Sequence, residues 1–129
     1  IDIPLNRESK MSAFRAFKKA EESLKDGKNV VIFPEGMISE NYPPVLQPFK
    51  NGPFKLAIEQ GVHILPVTIC NNWNLMWDDG KRYGTSPGIC DICVHAPIDT
   101  SCLTLTDAED LKVKVYGVIS GQLNAYQTK

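Results

Sequence analysis

Apolar positions keep several different rhythms along this chain. Over residues 8–25 they recur at Met11, Phe14, Phe17 and Leu24, with Ala13, Ala16 and Ala20 between them and charges elsewhere. That spacing predicts an amphipathic helix with its Phe pair in the core, stopped by Gly27. Val30-Val31-Ile32-Phe33 is an unbroken apolar run, as in a short strand covered on both faces. Residues 38–47, rich in Asn and Pro, read as a loop. Helical spacing returns at Phe54, Leu56, Ala57 and Ile58, with Pro53 at the first helical position and Asn51 or Gly52 as the cap, so a short helix is expected over residues 53–60. Residues 62–69 read as a second buried strand, with His63 a satisfied core residue. A long excursion follows over residues 71–88, where Trp73 and Trp77 are expected to pin the loop to the domain. Residues 91–94 form a third strand, ended by Pro97. Thr106-Asp107-Ala108-Glu109 has the form of a capping box, and Ala108, Leu111, Val115, Val118, Ile119 and Leu123 keep helical time behind it.

The resulting order of helix, strand, helix, strand, strand, helix predicts an α/β layered domain with a mostly parallel central sheet flanked by helices. In such sheets function gathers at the carboxyl ends of strands. Pro34-Glu35-Gly36 lies at one of those ends.

Composition narrows the classes. A chain of 129 residues suits one domain. Fourteen basic residues against fifteen acidic ones give a net charge of −1, so no global field calls for nucleic acid, and none is expected as a partner. No apolar run approaches the roughly 18 residues of a membrane span, and no secretory signal is visible. The opening on Ile1 gives the expectation of a soluble piece of something longer. Of the cysteines at 70, 90, 93 and 102, Cys90 and Cys93 have the gap of a zinc knuckle. No second ligand pair follows at a matching distance, and on a strand the two point to opposite faces. Buried free thiols in a reduced cytosolic setting, with no metal, are the expectation.

Candidate chemistry is sparse. Glu35 at a strand end can accept hydrogen bonds from a hydroxyl or orient an arginine, and Gly36 lets its backbone N–H approach an anion. A plain strand-end turn with a solvated glutamate fits the same residues. Arg7, just before the first helix, is a permanently charged fork suited to phosphate; a surface arginine is the alternative. Lys50 precedes a helix whose free amides favour anions, although simple capping would also explain it. His95 and Asp99 invite pairing, but Pro97 breaks the geometry between them, and no serine or cysteine makes a convincing couple with either histidine.

Taken together, these stretches resemble the glycerolipid acyltransferase family typified by 1-acyl-sn-glycerol-3-phosphate acyltransferase. The resemblance runs over roughly residues 3–123. Phe33-Pro34-Glu35-Gly36 matches the family's third block, usually Phe-Pro-Glu-Gly-Thr-Arg, with Met37 and Ile38 here in place of Thr-Arg. Ile3-Pro4-Leu5-Asn6-Arg7 is similar to the end of the second block, Phe49-Lys50-Asn51-Gly52 to the segment after the third, and Val62-His63-Ile64-Leu65-Pro66-Val67 to the fourth. The resemblance implies a glycerol-3-phosphate acyltransferase-like fold, incomplete at its N-terminus, and transfer of an acyl group from acyl-CoA or acyl-carrier protein to a lysophospholipid hydroxyl in phospholipid biosynthesis. It implies no cofactor beyond that thioester co-substrate. Arg7, Glu35, Gly36 and Lys50 are implied as acceptor-binding residues. The family's catalytic His-x-x-x-x-Asp is missing, since Thr68 follows His63 and Thr100 follows His95 at the aspartate's place. Residues 1–129 are therefore expected to be the C-terminal portion of one acyltransferase domain, without catalytic residues and inactive alone. The full-length protein would work at the cytoplasmic side of a membrane. A non-catalytic lipid- or protein-binding module on the same scaffold is the alternative.

Overall fold

The computed structural model describes residue 3 and residues 10–37, 39–41, 43–76 and 84–127. Helix α1 spans Lys10–Lys25 and α2 spans Gly52–Gln60. Strand β1, Val67–Ile69, is followed by a one-turn helix α3, Asn72–Leu75, and by β2, Ile92–Val94. A 3-10 turn, Leu105–Asp107, runs into the long helix α4, Ala108–Gln127.

The three expected helices form where spacing and punctuation place them. Helix α2 starts with proline in its first turn and ends on Gly61, whose φ of 60° lets its N–H and that of Val62 reach back to Ile58 and Ala57 carbonyls. The last helix is capped two residues earlier than the sequence suggests. Thr104 donates its backbone N–H to Asp107 Oδ2 at 2.7 Å, and its hydroxyl meets the same oxygen. Thr106 lies inside the 3-10 turn, and Glu109, in the first turn of α4, pairs with Lys112 instead.

Phe49, Phe54, Leu111 and Val115 form the buried centre, with Leu46, Ile58, Ile64, Ile98, Leu103, Tyr116 and Ile119 around it. Phe49 stacks on Phe54 at 6.3 Å between ring centres and meets Tyr116 edge-on at 5.0 Å. Thr100 is buried and donates its hydroxyl to Val62 O, tying the exit of α2 to the segment before α4.

Four expectations change. The ladder between the described strands is antiparallel, with Val67 opposite Val94, Thr68 opposite Cys93 and Ile69 opposite Ile92. Among the described residues no parallel pair forms, and the helix described between β1 and β2, α3, is a single turn rather than a crossover helix. Val30–Phe33 belongs to no ladder among the described residues, and Val31 and Phe33 are 83% and 74% exposed. An apolar run has the makings of a strand but needs a neighbouring backbone to become one. On α1, Ala20 is buried and the Phe17 ring tip lies against Gly52, whereas Met11 and Phe14 face outward. The expected second strand is likewise one-sided: Pro66, Thr68 and Cys70 are buried while Leu65, Val67 and Ile69 are open.

Candidate functional site: the Pro-Glu-Gly turn and the lysine before α2

The apolar run ends in a tight turn. Gly36 donates its N–H to Phe33 O at 3.2 Å and has a φ of 66°, a conformation that side-chain-bearing residues resist. Two further bonds fasten this turn to the segment leading into α2. The Gln47 N–H donates to Glu35 Oε2 at 2.6 Å, and the Lys50 N–H donates to Pro34 O at 2.8 Å. Between them sits Phe49, buried in the core, so the segment is anchored from below while Lys50 stays exposed.

The Lys50 stem runs alongside Gly36. A Cβ built on the glycine would lie 3.7 Å from Lys50 Cγ, an ordinary contact, so backbone conformation rather than space calls for glycine. Glu35, Gly36 and Lys50, three of the four residues singled out from sequence, are thus gathered at one rim. Arg7, the fourth, lies outside the described residues. Gln47 was not legible as a partner, because its contribution is a backbone N–H that no side-chain pattern announces.

Lys50 stands two residues before α2, whose first-turn amides have no intrahelical acceptor. Asn51 gives them no side-chain cap. An exposed ammonium beside uncapped amides suits an anion. The half-buried carboxylate is fixed by Gln47 through one oxygen. Its other oxygen accepts no hydrogen bond from a described residue.

Both histidines are committed elsewhere. His95 Nε2 lies 2.8 Å from the hydroxyl of buried Thr68, not on Asp99. His63 is exposed, with Nε2 3.7 Å from Asp99 Oδ1, so the expectation of a buried core histidine is corrected: it sits on the outward-facing side of an alternating segment. Asp99 also accepts the Ser101 N–H and hydroxyl, and chiefly those bonds hold its carboxyl below the ordinary aspartate range. The acid stands between serine and histidine, so the imidazole cannot take the serine proton.

Of the four thiols only Cys70 is buried, and burial is the main cause that raises its pKa; Cys90 and Cys102 are exposed and Cys93 half-buried. That corrects the expectation of four buried thiols. Among the described residues no group of three His, Cys, Asp or Glu side chains is placed to hold a metal ion.

A profile of the Acyltransferase family matches residues 2–70, which include the turn and the lysine segment. The chain is 34% identical over 92 residues to mouse 1-acyl-sn-glycerol-3-phosphate acyltransferase alpha, covering 71% of this chain and 31% of that protein. It is 40% identical over 110 residues to the 1-acyl-sn-glycerol-3-phosphate acyltransferase of Borreliella burgdorferi, covering 84% of this chain and 42% of the relative. The crystal structure of the 1-acyl-sn-glycerophosphate acyltransferase PlsC from Thermotoga maritima superposes with a TM-score of 0.76 at 28% identity, over 89% of this chain and 45% of that one. The chain therefore spans less than half the length of these relatives, and its helix-and-strand architecture is the α/β acyltransferase fold. With the matched profile running through the turn and the lysine segment, the chain belongs to the Acyltransferase family.

Proposed function

We propose that this chain supplies the acceptor-binding side of an enzyme that moves an acyl group from a thioester, acyl-CoA or acyl-carrier protein, to the hydroxyl of a lysophospholipid, with 1-acyl-sn-glycerol-3-phosphate as the acceptor. The observation that carries the reading is the fastening of Pro34-Glu35-Gly36 to the Gln47–Lys50 segment, which gathers a carboxylate, a cation and a helix N-terminus. Relatives carrying the names of lysophosphatidate acyltransferases support the substrate class.

Lys50, the α2 amides and Arg7 would hold the phosphate; Met37 and Ile38 supply no further cation after the turn. Glu35 would keep the Lys50 segment in register through Gln47 and offer its second oxygen to an acceptor hydroxyl. In the reaction a base takes the proton of the acceptor hydroxyl, its oxygen attacks the thioester carbonyl, and the thiol leaves carrying a proton. Neither histidine of this chain is placed for that base, so residues 1–129 would form the C-terminal portion of the domain, with the reacting His and Asp on polypeptide outside it. With an amphiphile as acceptor, the longer protein would work at a membrane surface, and its cytoplasmic side is the reading offered here; no helix among the described residues is long and apolar enough to cross one.

The test is thioester-dependent acylation of lysophosphatidate by the longer protein, wild type against Arg7→Ala. Loss of a charge-assisted phosphate contact should raise the acceptor KM by roughly tenfold to a hundredfold, or about 1.5–3 kcal/mol. An unchanged KM would remove Arg7 from the site.

A further inference from the structure

Helix α1 is amphipathic, yet its outward side is not simply polar. On one side Ala20 is buried, and Ala13, Ala16, Phe17 and Leu24 are half-buried. Met11 and Phe14, three residues apart and so neighbours on a helix surface, lie on the other side, 62% and 65% exposed. Arg15 and Lys18, four residues beyond Met11 and Phe14, continue that side, and Lys19 flanks it; all three are exposed. None of these cations makes an ion pair with a described residue. Of the helix's acids, Glu21 is taken by Lys25, which leaves Glu22 as the exposed one. The chain as a whole carries a net charge of −1, so the positive charge here is local.

This face stands close to the rim that carries Lys50. The Phe17 ring tip lies so near Gly52 that a Cβ there would come within 2.5 Å of it, and Gly52 is two residues past Lys50. The outward side of α1 is thus separated from the start of α2 by the width of one helix, about 10 Å. A stable protein interface needs about 20–30 residues a side. Two apolar side chains beside three cations fall far short of that. A bilayer asks for less: apolar side chains that dip into the boundary between headgroups and acyl chains, with Lys or Arg beside them to meet anionic lipid.

We infer that the outward face of α1, Met11 and Phe14 with Arg15, Lys18 and Lys19, docks on an anionic lipid bilayer. This rests on the reading of an amphiphilic acceptor. It goes further by naming the surface that meets the lipid and the lipid charge it selects. Docked there, the chain holds Lys50 and the α2 amides near the headgroup layer, where the phosphate of a lysophospholipid lies.

Labelling on vesicles tests it without acyl transfer. Phe14→Cys on the face, and Lys55→Cys on the exposed side of α2 as control, are each made in the longer protein. The protein is reconstituted in vesicles of phosphatidylcholine, or of phosphatidylcholine mixed with phosphatidylglycerol. Modification by a water-soluble maleimide is followed peptide by peptide, which keeps the native cysteines apart. On the anionic vesicles Phe14→Cys should label at least about tenfold more slowly than on the neutral ones, with Lys55→Cys unchanged. Adding Arg15→Glu and Lys18→Glu to Phe14→Cys should abolish that difference and leave the thermal midpoint in place. Equal labelling of Phe14→Cys on the two vesicles overturns the inference, as does protection that survives the two charge reversals. Protection on neutral vesicles that comes only with added acyl-carrier protein also overturns it, and would assign the face to a protein partner. Each outcome leaves the acceptor KM assay to succeed or fail by itself.

Discussion

Glu35 commits one carboxylate oxygen to the Gln47 amide across twelve residues of chain, and that bond decides where Lys50 can be. Replacing Glu35 with Ala should leave a half-buried N–H unpaired and destabilise the protein by about 1.5–3 kcal/mol, read as a lower urea midpoint. Glu35→Gln keeps an acceptor oxygen and should lose less. At Gly36 the constraint is torsional. An Ala there finds room beside the Lys50 stem but must hold a left-handed φ, so Gly36→Ala should cost about 1–2 kcal/mol by the same unfolding measurement. Glycine after a Pro-Glu step could be read from the sequence as a turn. The amide of Gln47 could not, since every residue but proline carries one.

Helices were legible, and β1 and β2 fall inside segments expected to be strands, but the expected Val30–Phe33 strand does not form, for a physical reason. A helix satisfies its own backbone, so apolar spacing and end signals in one segment suffice to place α1, α2 and α4. A strand depends on a neighbour far along the chain, and Val30–Phe33 has the apolar run without a ladder among the described residues. The segment before α2 is held instead by Phe49, clasped between Phe54 and Tyr116. Phe49→Ala should cost about 3–5 kcal/mol and loosen Lys50 with it, checked by thermal unfolding. The start of α4 carries a pH signature. Hydrogen bonds from the Thr104 hydroxyl and N–H hold the Asp107 carboxyl below the ordinary aspartate value. The unfolded chain therefore takes up the proton first as pH falls, so this stabilisation is complete above about pH 4 and is lost below it. Asp107→Asn should flatten the loss of stability between about pH 5 and pH 3, followed by urea unfolding at each pH.

At the scale of the molecule, two of the sequence blocks that suggested an acyltransferase converge. The turn after the third block and the lysine segment meet at one rim, and the profile match covers both. What could not be read in advance was the one-sidedness of the sheet. Alternation at residues 64–70 looks like a buried strand until the absence of a covering layer among the described residues shows it to be half of one. The central claim is that this rim grips a phosphate-bearing headgroup. The most direct measurement is acceptor preference in the longer protein, comparing KM for lysophosphatidate with that for the matching monoacylglycerol, in wild type and Lys50→Ala. The account predicts that wild type favours the phosphate-bearing acceptor and that Lys50→Ala shrinks the preference about tenfold with kcat little changed. Equal use of the two acceptors by wild type, or a preference untouched by Lys50→Ala, would contradict it.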